Sequence, residues 1–316
     1  MFKNVVMYNI TPGWEALVDA IEANLKAGYF VACSASQEQS VGWVEPRGEA
    51  NGPLLESVAG HWILKLMFEN RSVPASVINR KADERIAQIE ASTGRKPGKK
   101  ETRDIKDDLR LELLPMAFTK QSSVMVWVNR EDQYVVMDTP SQARTDEVVT
   151  LLVQTLPGLA LTLVTTQISP ATAMADWLVT QEAPAGFSVD RECELKATDE
   201  SNAVVRYTRH QLDTDEVKQH IEGGKMPTRL ALTWNDRVSF VLTQDLQLKK
   251  LEFLDVVIDS AASGKDDGFD TDVVIATTEL RTLLPDLLEA LGGQADTRRN
   301  RGTPPSCDNP DQQAPA

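Results

Sequence analysis

PASVINRKADERIAQIEASTGRKPGKKETRDIKDDLRLELL, residues 74–114, is a charge-dense segment that leads through a proline-containing junction into the apolar run SSVMVWV at residues 122–128. Pro74 suits the first turn of a helix, and the Gly- and Pro-containing residues 93–98 are typical of a turn. The segment therefore predicts two helices joined by a turn, and the apolar run predicts a buried strand.

Both predicted helices carry only a narrow apolar stripe. Its residues are Val77, Ile78, Ile86 and Ile89 in the first helix and Ile105, Leu109 and Leu113 in the second. Two such helices can pack as an antiparallel pair, but the pair buries too little apolar surface to be stable far from other support. We therefore expect a helical finger that is inserted into a sheet protein and packs on a partner chain.

Composition places the chain among ordinary globular proteins. It has 316 residues, of which 41% are hydrophobic and 25% charged, enough for two or three domains. We find no run long enough to span a membrane and no secretory signal at the N-terminus. Cys33, Cys193 and Cys307 are far apart and odd in number, which indicates a reducing, cytoplasmic location without disulfides.

Charge is distributed unevenly along the chain. The net charge is −14, yet residues 71–110 hold eleven Lys or Arg and seven Asp or Glu, a net charge of +4, which leaves −18 for the remainder. A total of this sign argues against a nucleic-acid partner, because phosphate binding requires clustered cations. An acidic protein with a basic projection can still present a basic surface.

The order of predicted elements indicates an α+β protein with antiparallel sheets and packed helices. Residues 1–73 and 115–180 form two parts of one central domain, interrupted by the finger at 74–114. Residues 181–293 form a C-terminal α/β domain, and 294–316 form a disordered tail that is poor in apolar residues.

Several finer predictions concern single elements. The apolar spacing from Trp14 to Lys26 predicts a helix, and residues 29–33 predict a short strand. Asp213 is predicted to cap a helix at 213–222. The β-rich residues 269–275 predict another strand. A last helix follows, and the proline within it predicts a kink or a new start.

Signatures of catalysis are nearly absent. The sequence contains no phosphate-binding loop, no GxSxG, no HExxH and no CxxC motif. His61, His210 and His220 lie in different elements, and no cofactor site is indicated. The acidic run at 266–272 lacks the ligand spacing of a calcium loop, so we interpret it as a solvated loop leading into a strand. A divalent-metal site on Asp266, Asp270 and Asp272 is the alternative.

Three places are candidates for nucleic-acid binding. The first is the finger with Arg80 and Lys81, whose alternative is a solvated helix face with ion pairs. The second is the start of the apolar strand, where Phe118 and Lys120 lie. The alternative for Phe118 is an aromatic side chain buried in the core. The third is a basic cluster whose alternative is scattered surface charge. Its residues are Arg206, Arg209, His210, Lys225 and Arg229.

Motifs along the whole folded part resemble the RdgC family of bacterial recombination-associated proteins. They are FKNVVMYNIT (2–11), GWV (42–44), LLPMAF (113–118), VMVWV (124–128), HIEGGK (220–225), TRLALTW (228–234), LKKLEF (248–253), FDTDVVIATTEL (269–280) and LLEALGG (287–293). Several independent motifs in the family's order make the resemblance specific.

The resemblance implies a horseshoe-shaped subunit that pairs twice with its mate and closes a ring-shaped homodimer. Double-stranded DNA would pass through a basic hole with little sequence preference, and the protein would restrain a RecA-type recombinase in the nucleoid. The finger would form one dimer contact. Neither enzymatic activity nor a cofactor is implied.

Carried over residue by residue, Phe118 becomes the gate aromatic, Arg209 and His210 a basic-polar pair, and Lys225 the lysine of HIEGGK. Met116 and Thr208 depart from positions that are often basic in the family, which removes positive charge near the gate. Two other hypotheses stay open. The finger could be a protein-interaction module without DNA binding, or the acidic run could serve a metal-dependent nuclease.

Overall fold

The computed structural model describes residues 2–15, 18–261 and 268–295, whose strands form two antiparallel sheets. The first sheet has the order β2-β4-β5-β6-β1-β7, with β3 paired to β4, and the second has the order β12-β11-β10-β8-β9. The strands are β1 (Val6–Ile10), β2 (Gln39–Val44), β3 (Leu55–Val58), β4 (His61–Arg71), β5 (Thr119–Asn129), β6 (Tyr134–Met137), β7 (Leu161–Leu163), β8 (Phe187–Ala197), β9 (Val204–Thr208), β10 (Lys225–Trp234), β11 (Val238–Thr243) and β12 (Leu248–Phe253). The α+β class with antiparallel sheets is confirmed.

Eight helices pack with these sheets in the described part of the chain. They are α1 (Val18–Ala27), α2 (Ala75–Thr93), α3 (Lys99–Leu113), α4 (Gln142–Thr155), α5 (Pro170–Thr180), α6 (Asp215–Glu222), α7 (Asp255–Ala261) and α8 (Gly268–Ala290). None of the described helices is long and apolar enough to cross a membrane.

Each face of the first sheet has its own core. On one face, Phe68 and Trp43 are buried together with Ile21 of α1 and Leu152 of α4. The opposite face shares a larger core with the second sheet and with α5 and α8. Alternate side chains of a strand point to opposite faces, so the largely apolar residues 62–68 of β4 and 124–128 of β5 are typical of strand segments buried on both sides.

Helix α8 packs between the two sheets. It is apolar around most of its circumference, as expected of a buried helix, and contributes Leu280, Leu284 and Leu287 to the shared core. Polar contacts hold it from both sides. Arg237 of the second sheet's hairpin donates to Glu279 at 2.8 Å, and Arg281 of α8 donates to Asp132 beside the first sheet at 2.7 Å.

The N-terminal residues join the two sheets directly. The amide of Val5 donates to the carbonyl of Leu248 at 2.8 Å, and the amide of Leu248 donates back at 3.0 Å. The amide of Leu251 donates to the carbonyl of Lys3. Residues 3–5 therefore border β12, and the same strand continues as β1 in the first sheet.

Helices α2 and α3 form the predicted antiparallel pair between the paired strands β4 and β5. Arg71 ends β4 opposite Thr119, which begins β5, so the insertion leaves and re-enters the sheet at one point. Its core is a small cluster of Ala82, Ile105 and Leu109, with Ile86 and Ile89 packed against it. The pair has little apolar burial of its own, in agreement with the narrow stripes of the sequence.

The predicted strand at 269–275 is wrong, because these residues begin α8. The β-branched run suggested a strand, but burial of Val273, Ala276 and Leu280 follows helical spacing and overrides that preference. The alternative of a new helix start at Pro285 is also wrong, because α8 is one helix on both sides of it. Proline removes one helical hydrogen bond, yet α8 continues through it while packed in the core.

Three boundaries also differ from prediction. Trp14 precedes α1 and donates its indole N–H to the carbonyl of Pro157 at 3.0 Å. Residues 29–33 make only an isolated bridge, from Tyr29 to β2, and form no strand. Helix α6 starts two residues after Asp213, which does not cap it.

The first two residues of the predicted tail make backbone contacts. Gln294 bridges to Thr166, and the amide of Ala295 donates to the carbonyl of Thr165 at 2.8 Å. These backbone contacts join Gln294 and Ala295 to the residues that follow β7. The rest of the tail, 296–316, lies outside the described residues.

We predict that Asp138→Ala lowers the free energy of unfolding by about 1–3 kcal/mol. Its carboxylate oxygen accepts from the amides of Lys3 and Asn4 at 3.2 and 2.8 Å, where the N-terminal strand joins the sheets. Asp138→Asn keeps an acceptor oxygen and should lose clearly less in urea unfolding. Equal losses of unfolding free energy in both variants, or no loss in either, would contradict a stabilising role for these two hydrogen bonds.

Candidate nucleic-acid interface

Two of the predicted cations share the open face of the second sheet. Glu194 of β8 is the register partner of Arg206 on β9 and of Arg229 on β10. Register partners in antiparallel strands point to the same face. The Arg206 Nε donates to the Glu194 carboxylate at 2.6 Å, while both arginines are exposed.

The carboxylate between these arginines is charged in the folded protein. Burial alone would raise the pKa of Glu194, but hydrogen bonds from Arg206 and Thr228, with the charge of Arg229, lower it overall. Two guanidinium groups thus surround one carboxylate and leave an excess positive charge. They border an open cleft of about 330 Å³, a shape and charge suited to a phosphate group.

Carboxylates limit how basic this face becomes. Glu192, two residues before Glu194, also lines the cleft, and Lys250 of β12 pairs with it at 2.6 Å. Thr208, the predicted departure from a basic position, lines the same cleft and adds no charge. The face therefore carries a small cationic cluster held by acidic residues.

Lys225 belongs to the opposite, α6-covered face of the same sheet. Its register partner is Ala197, which shares a face with the buried Leu195. The ammonium contacts Nδ1 of His220 at 3.1 Å. The structure thus divides the predicted basic cluster between two faces of one sheet.

Arg209 and His210 lie in the turn that follows β9. Arg209 is exposed and has a left-handed φ of 56°. The amide of His210 donates to the carbonyl of Arg191 at 3.1 Å, and its ring lies 5.5 Å from that of Tyr207. The turn presents both side chains at the sheet edge, next to the face that carries Lys225.

Phe118 is 96% exposed, so the alternative of a core aromatic is wrong. Phe118 follows a short 3-10 turn between α3 and β5. Leu114, the first residue of that turn, is only 1% exposed and anchors this junction in the core. Met116 and Leu111 are 70% and 65% exposed nearby in sequence. An exposed aromatic among exposed aliphatic side chains at a rigid junction is typical of an interaction surface.

Lys120 and the predicted cations of the insertion are also exposed. Lys120 stands on β5 opposite Asn70. Arg80 has no ion-pair partner among residues 2–15, 18–261 and 268–295, whereas Lys81 pairs with Glu84 at 3.0 Å. Within the part of the chain that the structure describes, no hydrogen bond or ion pair links these residues to the arginines of the second sheet.

Basic residues concentrate at the tip of the α2–α3 pair. Residues 95–106 hold six Lys or Arg and two Asp or Glu, whereas residues 107–113 hold three acidic residues and one arginine. Arg95 pairs with Glu101 at 2.9 Å, and Arg85 pairs with Glu112 at 3.2 Å. The expected ion pairs of a solvated helical surface are therefore present, alongside an excess of cations at the tip.

No metal centre emerges from the described residues, which hold no group of three His, Cys, Asp or Glu able to bind an ion. Asp270 receives a 2.6 Å hydrogen bond from Arg47 and lies in α8 rather than in a loop. Asp266 falls outside the described residues. His61 of β4 is buried against Trp127, and burial lowers its pKa.

Sequence reasoning missed Glu194 and His220, which contact the predicted cations. A usable signal for Glu194 was present in β8, where Glu192, Glu194 and Lys196 alternate with the buried Cys193 and Leu195. Alternation places these charges on one face. The pairing that brings the two arginines beside them joins distant parts of the chain and has no local signature.

We predict that Glu194→Gln removes an acid-sensitive part of the stability. The pKa of Glu194 is lowered in the fold from 4.5, so its contribution is present above that value and is lost as the pH falls below it. The difference in unfolding free energy between parent and variant should therefore shrink from about pH 6 to about pH 3. A pH-independent difference in urea unfolding would contradict this assignment.

Comparison with known proteins places these features in one family. The family model described as "Putative exonuclease, RdgC" matches residues 1–294. A recombination-associated protein RdgC from Dechloromonas aromatica (strain RCB) is 42% identical over 299 residues, covering 93% of this chain and 98% of the relative. The RdgC of Janthinobacterium sp. (strain Marseille) is 41% identical over 300 residues, covering 94% and 99%. The chain belongs to the RdgC family of recombination-associated proteins.

Proposed function

We propose that this protein binds double-stranded DNA without sequence preference and thereby restrains a RecA-type recombinase. The observation that carries the proposal is the exposed pair Arg206 and Arg229, held by one carboxylate on the open face of the second sheet. Guanidinium groups suit phosphate oxygens geometrically. Phosphate contacts carry no base code, so they support binding to any duplex.

A homodimer reconciles this role with the acidic composition. Two-fold symmetry doubles the number of cations that face the duplex. The acidic residues that give each chain its net charge of −14 would lie mainly on other surfaces. We propose that the subunit is a horseshoe whose mate closes a ring around DNA. Residues 74–114 would clasp the second subunit, and Phe118 would sit at the gate, where its 96% exposure in the single chain supports a partner contact.

Occupation of the duplex would then oppose recombination physically. A ring around DNA denies that length of duplex to a recombinase filament, without contact between the two proteins. The name of the relatives, recombination-associated protein, supports this setting. We propose a cytoplasmic, nucleoid-associated location and a binding role that requires no cofactor and no catalysis.

Two other functions make different predictions. A protein-interaction module would use the α2–α3 pair and would not bind duplex even at low salt. An exonuclease is suggested by the wording of the family model. Divalent-ion-dependent release of nucleotides from a DNA end would establish that activity.

Arg206→Ala and Arg229→Ala should each make the plot of log affinity against log salt less steep. The expected change is about 0.9 per lost phosphate contact. The matched control is Lys26→Ala, which also removes one exposed cation. Lys26 lies on α1, which covers the face of the first sheet that does not pack against the second sheet. Fluorescence anisotropy with a duplex of random sequence measures all three slopes. Unchanged slopes in both arginine variants would remove this face from the DNA path.

Phe118→Ala should raise the dissociation constant of the dimer about tenfold or more, because truncation of a buried aromatic anchor costs an interface over 1 kcal/mol. Val31→Ala is the control, since it shortens another exposed apolar side chain, 71% accessible. Sedimentation equilibrium over a range of protein concentrations measures both constants. A Phe118→Ala protein that dimerises like the parent would exclude Phe118 from the contact.

A further inference from the structure

The hydrogen bond between Lys225 and His220 determines where the imidazole proton lies. The Lys225 Nζ is 3.1 Å from Nδ1 of His220. An ammonium group has donors but no acceptor, so Nδ1 must be the acceptor and carries no proton. The imidazole is therefore neutral in this arrangement, with its proton on Nε2, which lies 3.9 Å from a Glu216 carboxylate oxygen.

Few charged groups surround this pair. Glu216 of α6 contacts the imidazole and also accepts from the Tyr207 hydroxyl at 3.1 Å. Burial and this carboxylate raise the pKa of Tyr207 to about 12, which keeps it neutral. In the turn after β8, Asp199 is held by Ser201, and those hydrogen bonds, with a smaller effect of Lys225, lower its pKa. Among these groups, only the neutral His220 imidazole can take up a proton to become a cation.

The pair is open to a ligand on the side of the turn that joins α6 to β10. Gly224 has a left-handed φ of 89°, and a side chain added there would meet no atom within 4 Å. The His220 side chain is 28% exposed, and Lys225 is half-buried. Both side chains are therefore partly accessible beside this turn.

We propose that His220 and Lys225 form a proton-linked phosphate site, in which His220 positions the Lys225 ammonium when neutral and becomes a second cation when protonated. The proposal rests on the DNA-binding function proposed above. It identifies a regulation of that function by pH, through a residue that sequence reasoning did not include.

Charge repulsion supplies the coupling. Protonation of Nδ1 removes the acceptor of the ammonium and leaves two cations about 3 Å apart, which disfavour each other strongly. A phosphate bound beside them offsets this repulsion. Phosphate binding therefore favours protonation, and by linkage protonation favours phosphate binding. Duplex affinity should therefore rise as the pH falls.

The first test compares duplex affinity at about pH 8 and about pH 6, at constant low salt. We expect the parent to bind several-fold more tightly at the lower pH, with uptake of up to about one proton per subunit at this site. His220→Gln keeps an acceptor for Lys225 but cannot be protonated. The pH dependence of its duplex affinity should therefore be smaller than that of the parent by the proton uptake of this site. Gln219→Ala, an exposed change on the same helix, is the control and should keep the pH dependence of the parent.

Three results would overturn the proposal. They are a parent affinity that is independent of pH, a His220→Gln slope equal to that of the parent, and a Gln219→Ala variant that loses the whole dependence. A fourth result, no duplex binding by the parent at any pH, would instead contradict the proposed function. The proposed hydrogen bond then needs a test that does not involve DNA.

That second test reads the imidazole itself by nitrogen-15 NMR of the full chain at about pH 8. His220 should show an unprotonated Nδ1 with the shift of a hydrogen-bonded acceptor. This shift should move to that of a free acceptor in Lys225→Ala. A proton on Nδ1 of the parent, or an Nδ1 shift unaffected by Lys225→Ala, would disprove the positioning role whether or not the protein binds DNA.

Discussion

Backbone pairing between the N-terminal strand and β12 is the contact on which the arrangement of the two sheets depends. Val5 exchanges hydrogen bonds with Leu248, and the strand then runs on into the first sheet. Because α8 fills the space between the sheets and is ion-paired to both, the sheets are held in one orientation. The open face with Arg206 and the junction with Phe118 consequently keep a constant spatial relation, which a binding surface built from both requires.

A second constraint is electrostatic. An acidic chain can hold a polyanion only where cations are concentrated and their local counter-charges are few. Arg206 and Arg229 lie close together but beside Glu194 and Glu192, so they meet this condition only in part. The tip of the α2–α3 pair meets it more fully, because it carries most of the basic residues of the insertion. Both clusters are small, so the proposed dimer, which presents each of them twice, follows from the same constraint.

Much of the fold was predictable because the buried face of a helix or strand requires apolar residues at regular spacing in the local sequence. The α2 and α3 helices, and the strand at Val124–Val128, follow directly from apolar spacing. Residues 269–275 were misassigned because β-branched side chains favour strands, whereas their burial between two sheets depends on distant contacts. The candidate site was predictable only as a set of cations. Its division between two faces depends on strand register, and the exposure of Phe118 depends on how Leu114 anchors the junction.

Encirclement is the central claim, and topology tests it most directly. Protein would be loaded onto closed circular duplex and onto the same duplex made linear, and then washed at high salt to weaken phosphate contacts. The ring predicts that protein stays on the circle, leaves the linear duplex, and is released from the circle when a single double-strand cut opens it. Equal release from circular and linear DNA would contradict a ring that surrounds the duplex.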